Sequence, residues 1–237
     1  MTSPAKAHFM RVTAAQASAS AAADDQPLEN ASAYELMLLK LAEDRRRLKD
    51  VKSMEAKAEL KRKLLPDYAP WVEGAIAAGK GAQDDVLMTV MLWRIDAGDY
   101  NGALDIAEYA LPYKLVMPDR YQRTTATTLV EEVADAAKRA RDGKQPFDLD
   151  TLQRTAELTA SEDMHDQVRA KLFKELGLLI AASTDPGPPV GLDLARKLIA
   201  LQHLQRATQL HDKVGVKKDI ERLERELKNQ GDASGAA

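Results

Sequence analysis

The sequence predicts an all-α protein, and three observations carry that prediction. Aromatic residues make up only 5% of the 237 residues, set against abundant Ala, Leu, Glu, Lys and Arg, the residues that helices favour. No long alternating run rich in Val, Ile and Thr is present, so nothing reads as a half-buried strand. Between Gly79 and Leu111, Val86, Val90, Leu92, Trp93 and Ile95, and then Ala103, Leu104, Ala107 and Leu111, recur at helical spacing on either side of Ala97-Gly98-Asp99. This stretch reads as a helical hairpin. Gly98 suits a left-handed C-terminal cap, and Asp99 can accept backbone N–H bonds at the start of the second helix. Gly102, Ala103, Ala107 and Ala110 permit close approach while Met88, Met91, Trp93 and Tyr109 supply bulk, so the hairpin is expected to form a buried core.

Taken in order, residues 1–28 read as a flexible arm. The segment is rich in Ala, Ser and Gln, and its few apolar residues around Phe9, Met10 and Val12 are too sparse to offset the chain entropy of ordering. Docking of this arm on a partner is the alternative. Residues 29–66 read as one long helix or two nearly continuous ones, with Asn30 or Ser32 as N-cap and Pro66 as the stop. Met37, Leu41, Leu48, Val51, Ala58 and Leu65 follow a 4,3 repeat, but Asp44, Glu55 and Arg62 interrupt it, which argues against a long coiled coil. The segment is locally basic. Arg45, Lys49, Lys52 and Lys63 fall on one narrow arc at about 100° per residue, and Arg46, Arg47, Lys57 and Lys61 spread over the outer face. One reading is a solvated face laced with side-chain ion pairs. The other is a phosphate-contacting helix, with Arg45, Arg46, Arg47, Lys49, Lys52 and Lys63 as the candidate DNA contacts.

A central helical domain is expected over 67–183. Its first helix carries Tyr68, Trp71 and Ile76 and ends at Gly79. Gly74 to Lys80 matches most of a phosphate-binding loop, yet Gly81 stands where a hydroxyl must reach a magnesium ion and no strand precedes it, so ATP binding is not expected. Beyond the hairpin, Pro112, Tyr113 and Pro118 mark a longer connection whose Lys114, Arg120 and Arg123 are further candidate contacts for a polyanion. Thr128 to Ala140 reads as an amphipathic helix with Leu129, Val133 and Ala137 inward. Asp150 with Gln153 resembles a capping box for the helix that follows, and Asp163 opens another with Val168, Leu172, Leu176 and Leu179 on one face.

Pro186-Gly187-Pro188-Pro189 is the strongest breaker and predicts a linker over 184–191. Residues 192–230 read as a second hairpin turning near Asp212, followed by a tail over 231–237. Leu204 to Leu210 alternates small and large residues, as in a tetratricopeptide-type helix pair, but the fixed period of a repeat array is missing. In the last helix Val216, Ile220, Leu223 and Leu227 make a 4,3,4 seam flanked by Glu and Arg, a candidate oligomerisation surface. Packing on the preceding helix is the alternative of equal weight.

The formal net charge of -3 gives no general steering toward phosphate, so any nucleic-acid contact must come from local charge. There is no cysteine, and His8, His165, His203 and His211 show no metal-ligand clustering. With no apolar run of about 18 residues, neither a signal peptide nor a membrane span is expected. Asp84 with Asp85, Asp96 with Asp99, and Glu131 with Glu132 and Asp135 are the candidate acids for a two-metal nuclease, whose carboxylates must converge on ions roughly 4 Å apart. Helical neighbours such as Asp84 and Asp85 diverge by about 100°, which suits helix capping better than a shared ion. No metal site and no cofactor are expected, Mg2+ entering only if the chain itself cuts DNA.

Gly79-Lys80-Gly81-Ala82-Gln83-Asp84-Asp85, Leu87 to Arg94, and Gly98-Asp99 with Gly102-Ala103-Leu104 stand in order with further segments along the chain. These are Met1 to Ala5, Leu64-Leu65-Pro66, Glu131 to Ala134, Glu157 to Ala160, Val168 to Leu172, Leu204 to Leu210 and Ile220 to Leu227. Together they resemble the small terminase subunit of Peduovirus-like tailed bacteriophages. The resemblance implies viral genome packaging, in which such subunits recognise viral DNA at the cohesive-end or packaging site, assemble as rings and regulate a large subunit carrying ATPase and nuclease centres. The implied partners are viral double-stranded DNA, the large terminase subunit and further copies of the chain in a homo-oligomeric ring. The implied location is the host cytoplasm, with no membrane partner. Members of this family are often labelled endonuclease subunits, so a metal-dependent endonuclease cutting concatemeric phage DNA is one alternative, and a helical adaptor without DNA contact is another. Some relatives end in a long Lys/Arg/Pro-rich tail, whereas this sequence ends Asn229 to Ala237, so tail-mediated DNA binding is not expected.

Overall fold

The computed structural model describes residues 3–24, 32–118, 122–182 and 190–234. Among them are ten helices and no strand, so the protein is all-α. Compactness divides the chain into two units, Met1–Thr125 and Ala126–Ala237. The stretch 67–183, expected as one domain, therefore contributes helices to both.

The first unit holds α1 (Pro4–Asp24), α2 (Ser32–Asp50), α3 (Met54–Ala78), α4 (Asp85–Ala97) and α5 (Tyr100–Ala110). Helix α1 corrects the expectation of a flexible arm, since it lies along α3. Its contact is made by small residues. Ala14, Ser18 and Ala21 are buried, and a Cβ built on Gly74 of α3 would stand 2.3 Å from the Arg11 carbonyl oxygen. The two backbones thus meet where neither carries bulk, and an Arg11–Glu73 ion pair of 3.0 Å closes the flank. The ordering of α1 thus rests on small residues at close approach and not on a stripe of large apolar ones. Asn30, one candidate N-cap of α2, lies outside the described residues.

Pro66, expected from the sequence to stop the helix, lies inside one instead. The break falls earlier, at residues 51–53, where Ser53 caps α3 by accepting a hydrogen bond from the Ala56 N–H at 3.3 Å. Helix α3 then runs through Pro66 and Pro70. Each proline inside a helix costs about 3 kcal/mol. Burial of Leu64, Leu65, Tyr68, Trp71, Val72 and Ala75 along the same helix offsets that cost.

The α4–α5 hairpin follows its caps as expected. Gly98 takes φ 84°, its N–H bonding the Ile95 carbonyl and that of Asp99 the Arg94 carbonyl, while Asp99 accepts from the Gly102 N–H at 3.0 Å. Val86 to Trp93 are buried without interruption. Aromatic contacts tie the core together: Tyr68 meets Trp93 edge-on at 5.7 Å between ring centres, and Tyr34 stacks on Trp71 at 6.0 Å.

The second unit takes up the chain within α6 (Thr125–Asp142) and adds α7 (Leu149–Leu158), α8 (Asp166–Ala182), α9 (Val190–Leu210) and α10 (Lys217–Ser234). Leu129, Val130, Val133 and Ala137 make the buried stripe of α6. Asp148 rather than Asp150 caps α7, accepting from the Thr151 N–H at 3.1 Å. Ile180, Ala200, Leu204, Val216 and Leu223 form one apolar cluster joining α8, α9 and α10. Buried Glu175 is held by the Arg141 guanidinium through two bonds of 2.8 and 3.1 Å, the paired geometry that makes a buried carboxylate tolerable. Pro186 to Pro189 lie outside the described residues.

Candidate nucleic-acid interface

Helix α2 buries Tyr34, Met37, Leu41, Asp44 and Leu48, spaced alternately by three and four residues. Asp44 is 2% exposed within that stripe. Burial alone would raise its carboxyl, but hydrogen bonds from Lys40 and Tyr68, helped by Arg47, outweigh burial and hold it below the usual range. The donors stand at 2.9 Å for Lys40 and Arg47 and 2.8 Å for the Tyr68 hydroxyl. This carboxylate anchors the inner face of α2, which leaves the basic residues to divide between core and solvent.

Of the six candidate cations, Arg45 turns inward. Its Nη2 donates to the buried Thr89 hydroxyl of α4 at 2.6 Å. Arg47 is exposed but paired with Asp44. Arg46, Lys49, Lys52 and Lys63 are exposed and have no ion pair among the described residues. Lys52 sits in the break between α2 and α3, so an arc drawn at constant rotation per residue does not carry from Lys49 to Lys63. The shared feature is instead a corner, the end of α2 and the start of α3, with cations on both sides. From Arg45 to Lys63 only Asp50, Glu55 and Glu59 oppose the basic residues, so this corner is positive in a chain whose net charge is -3. Lys61 is already engaged with Asp96, and Arg62 with Glu59 and the Ala97 carbonyl.

The other candidates are placed more quietly. Lys114 is exposed with φ 55°, Arg123 is exposed, and Arg120 lies outside the described residues. Among the acids, Asp84 is buried as the N-cap of α4, accepting from the Leu87 N–H at 2.9 Å and the Trp71 indole N–H at 2.7 Å. Burial pushes its carboxyl up to about 6, and hydrogen bonds from the Leu87 N–H, the Trp71 indole and the Val86 N–H oppose that rise only in part. Asp96 pairs with Lys61, Asp99 caps α5 and pairs with Arg94, and Asp135 pairs with Lys171 at 3.5 Å. Among the described residues no three His, Asp or Glu side chains gather as a metal site. The loop-like match at Gly74 to Lys80 is spread over the last turns of α3 and its cap, with Gly81 (φ 71°) beneath the Tyr113 ring.

Of the oligomerisation seam, Val216 and Leu223 are buried in the α8–α9–α10 cluster of the same chain, Ile220 packs against it, and Leu227 is half-buried. Residues that sequence reasoning missed are the polar anchors, Tyr34, Tyr68 and Thr89. Their signal in the sequence is weak, because nothing local marks which hydroxyl will meet Asp44, Asp85 or Arg45.

A family model described as the phage small terminase subunit matches residues 38–167, from α2 to the start of α8. The terminase endonuclease subunit of Escherichia phage P2 is 54% identical over 228 residues, covering 96% of this chain and 87% of that protein. The chain belongs to the phage small terminase subunit family. A probable terminase endonuclease subunit of Haemophilus phage HP1 is 28% identical over 195 residues, covering 80% of this subunit and 68% of its relative. No solved structure matches the chain. The family is one of phage DNA packaging, which makes the positive corner of this subunit its first candidate for contact with DNA. No helix among the described residues is long and apolar enough to cross a membrane.

Proposed function

We propose that this subunit binds viral duplex DNA at the packaging site through the α2–α3 corner, presents it to the large ATPase and nuclease subunit, and works as an assembly of several copies. The observation that carries the reading is the set of exposed cations at Arg46, Lys49, Lys52 and Lys63 in a member of a DNA-packaging family. Long flexible lysines act as point charges, suited to phosphates rather than base edges, so the corner supplies affinity and register while sequence choice is made elsewhere in the assembly. Both relatives carry the word endonuclease in their names. In this reading cleavage belongs to the holoenzyme, because Asp84, Asp96, Asp99 and Asp135 serve as caps or ion-pair partners.

The triple change Arg46→Ala, Lys49→Ala and Lys52→Ala tests the corner. Each lost phosphate contact lowers the magnitude of the log K against log salt slope by about 0.9. Cognate and random DNA should lose affinity together in gel-shift titrations. Arg45→Ala should instead lower stability with little change of slope, because its partner is Thr89. An unchanged slope in the triple variant moves the DNA site away from this corner. Cutting of cohesive-end DNA by the purified chain with Mg2+ or Mn2+ alone would overturn the assignment of cleavage to the holoenzyme.

A further inference from the structure

Apart from Met54 at the start of α3 and Tyr113 and Val116 beyond α5, the exposed large apolar side chains of the first unit gather on α1 and α2. Phe9 is 68%, Leu36 67% and Leu39 66% exposed, with Val12 at 41%. Phe9 and Leu36 stand on opposite walls of a groove of about 250 Å³ between α1 and α2, floored by Met37 and Trp71. Val12 lies one turn from Phe9, and Leu39 one turn from Leu36, so each helix extends the apolar surface beyond the groove. Nothing in the DNA-binding corner uses these residues. Exposed leucine and phenylalanine side chains occurring singly need no explanation, but a contiguous group flanking a groove marks an interaction surface.

Charge identifies the occupant. Leu39 stands four residues from both Glu35 and Glu43, and these two acids are exposed and have no ion pair among the described residues. On the other wall Lys6, which lines the groove, is likewise exposed and without an ion pair among the described residues. Between Pro4 and Ala23, α1 carries no acid. The surface therefore offers a basic apolar wall on α1 and an acidic apolar wall on α2, which complement each other but stand on either side of the groove, with no ion pair joining them among the described residues. We propose that this face docks a second copy of the chain, α1 of one copy against α2 of the next, with Phe9 and Val12 on Leu36 and Leu39 and Lys6 facing Glu35 and Glu43. The inference rests on the self-assembly reading above and gives it a location. It also accounts for assembly without the C-terminal seam, whose Val216 and Leu223 are covered inside their own chain.

Two measurements on the full chain test it. Phe9→Ser with Leu36→Ser and Leu39→Ser should reduce the mass in light scattering to that of one chain, with the helical circular dichroism and melting curve kept. Lys6→Glu in one preparation and Glu35→Lys with Glu43→Lys in another should each weaken assembly by like-charge contact, and mixing the two should restore it. That rescue is a readout that mere loss of packing does not give. If the wild type is one chain at micromolar concentration, self-assembly itself fails and this surface with it. If the wild type is oligomeric and the triple serine variant equally so, self-assembly stands and this surface is overturned. A triple variant that stays oligomeric but no longer captures purified large subunit would also overturn it, assigning the face to that partner.

Discussion

The α4–α5 hairpin and the α9–α10 hairpin use the same device, two helices joined by a short turn, in opposite ways. Helix α4 is buried continuously from Val86 to Trp93, so it has no outer face and is held in place by specific polar anchors. Asp84 caps it and receives the Trp71 indole, and Thr89 receives Arg45. Helix α10 instead has one apolar edge at Ile220 and Leu223, with Glu221, Arg222, Glu224 and Arg225 in solvent. A helix buried all round is defined by what satisfies its few polar groups. A one-sided helix is defined by whichever apolar surface covers its stripe, and the stripe does not say whether that surface is its own chain or another.

The largest effect should come from the core of the first hairpin. Trp93 is 4% exposed, so Trp93→Ala should lower the unfolding free energy by roughly 3–5 kcal/mol in urea titrations. A loss near that of a surface change would break the comparison, because it would mean α4 has an open face. Next in size, Leu223→Ala should cost roughly 2–4 kcal/mol if α10 is covered by α8 and α9 of its own chain, and the loss should not depend on protein concentration. A concentration-dependent loss would return the seam to a second copy.

The smallest effect sharpens the role of the polar anchors. Folding raises the Asp84 carboxyl from its ordinary 3.8 to about 6. Between those values the folded chain holds a proton that the unfolded chain releases, so Asp84 makes stability rise as pH falls from 7 toward 4, by up to about 3 kcal/mol. Asp84→Asn should remove that rise in thermal melts, and a variant with the wild-type pH profile would show that Asp84 is hydrated. Asp44 acts in a different window: its carboxyl is lowered, so its contribution is present above its ordinary 3.8 and is lost as pH falls through the folded value below that.

The legible parts of the fold were those whose cause lies within a turn of the residue concerned. Gly98 and Asp99 marked both ends of the central turn, and the stripe of Leu129, Val133 and Ala137 marked the inner face of α6. Capping hydrogen bonds and helical periodicity connect residues about three or four positions apart, so sequence alone determines them, along with the all-α class. The positive charge near Arg45 to Lys63 was equally legible, being a matter of composition. What tertiary structure decided was the use of each surface. Ala14, Ser18 and Gly74 let α1 dock on α3, Thr89 drew Arg45 inward and left its neighbours to solvent, and burial around Tyr68 and Trp71 carried α3 through two prolines. These outcomes depend on contacts between residues far apart in sequence, where several partners offer nearly equal local chemistry and only simultaneous packing of the whole unit selects one.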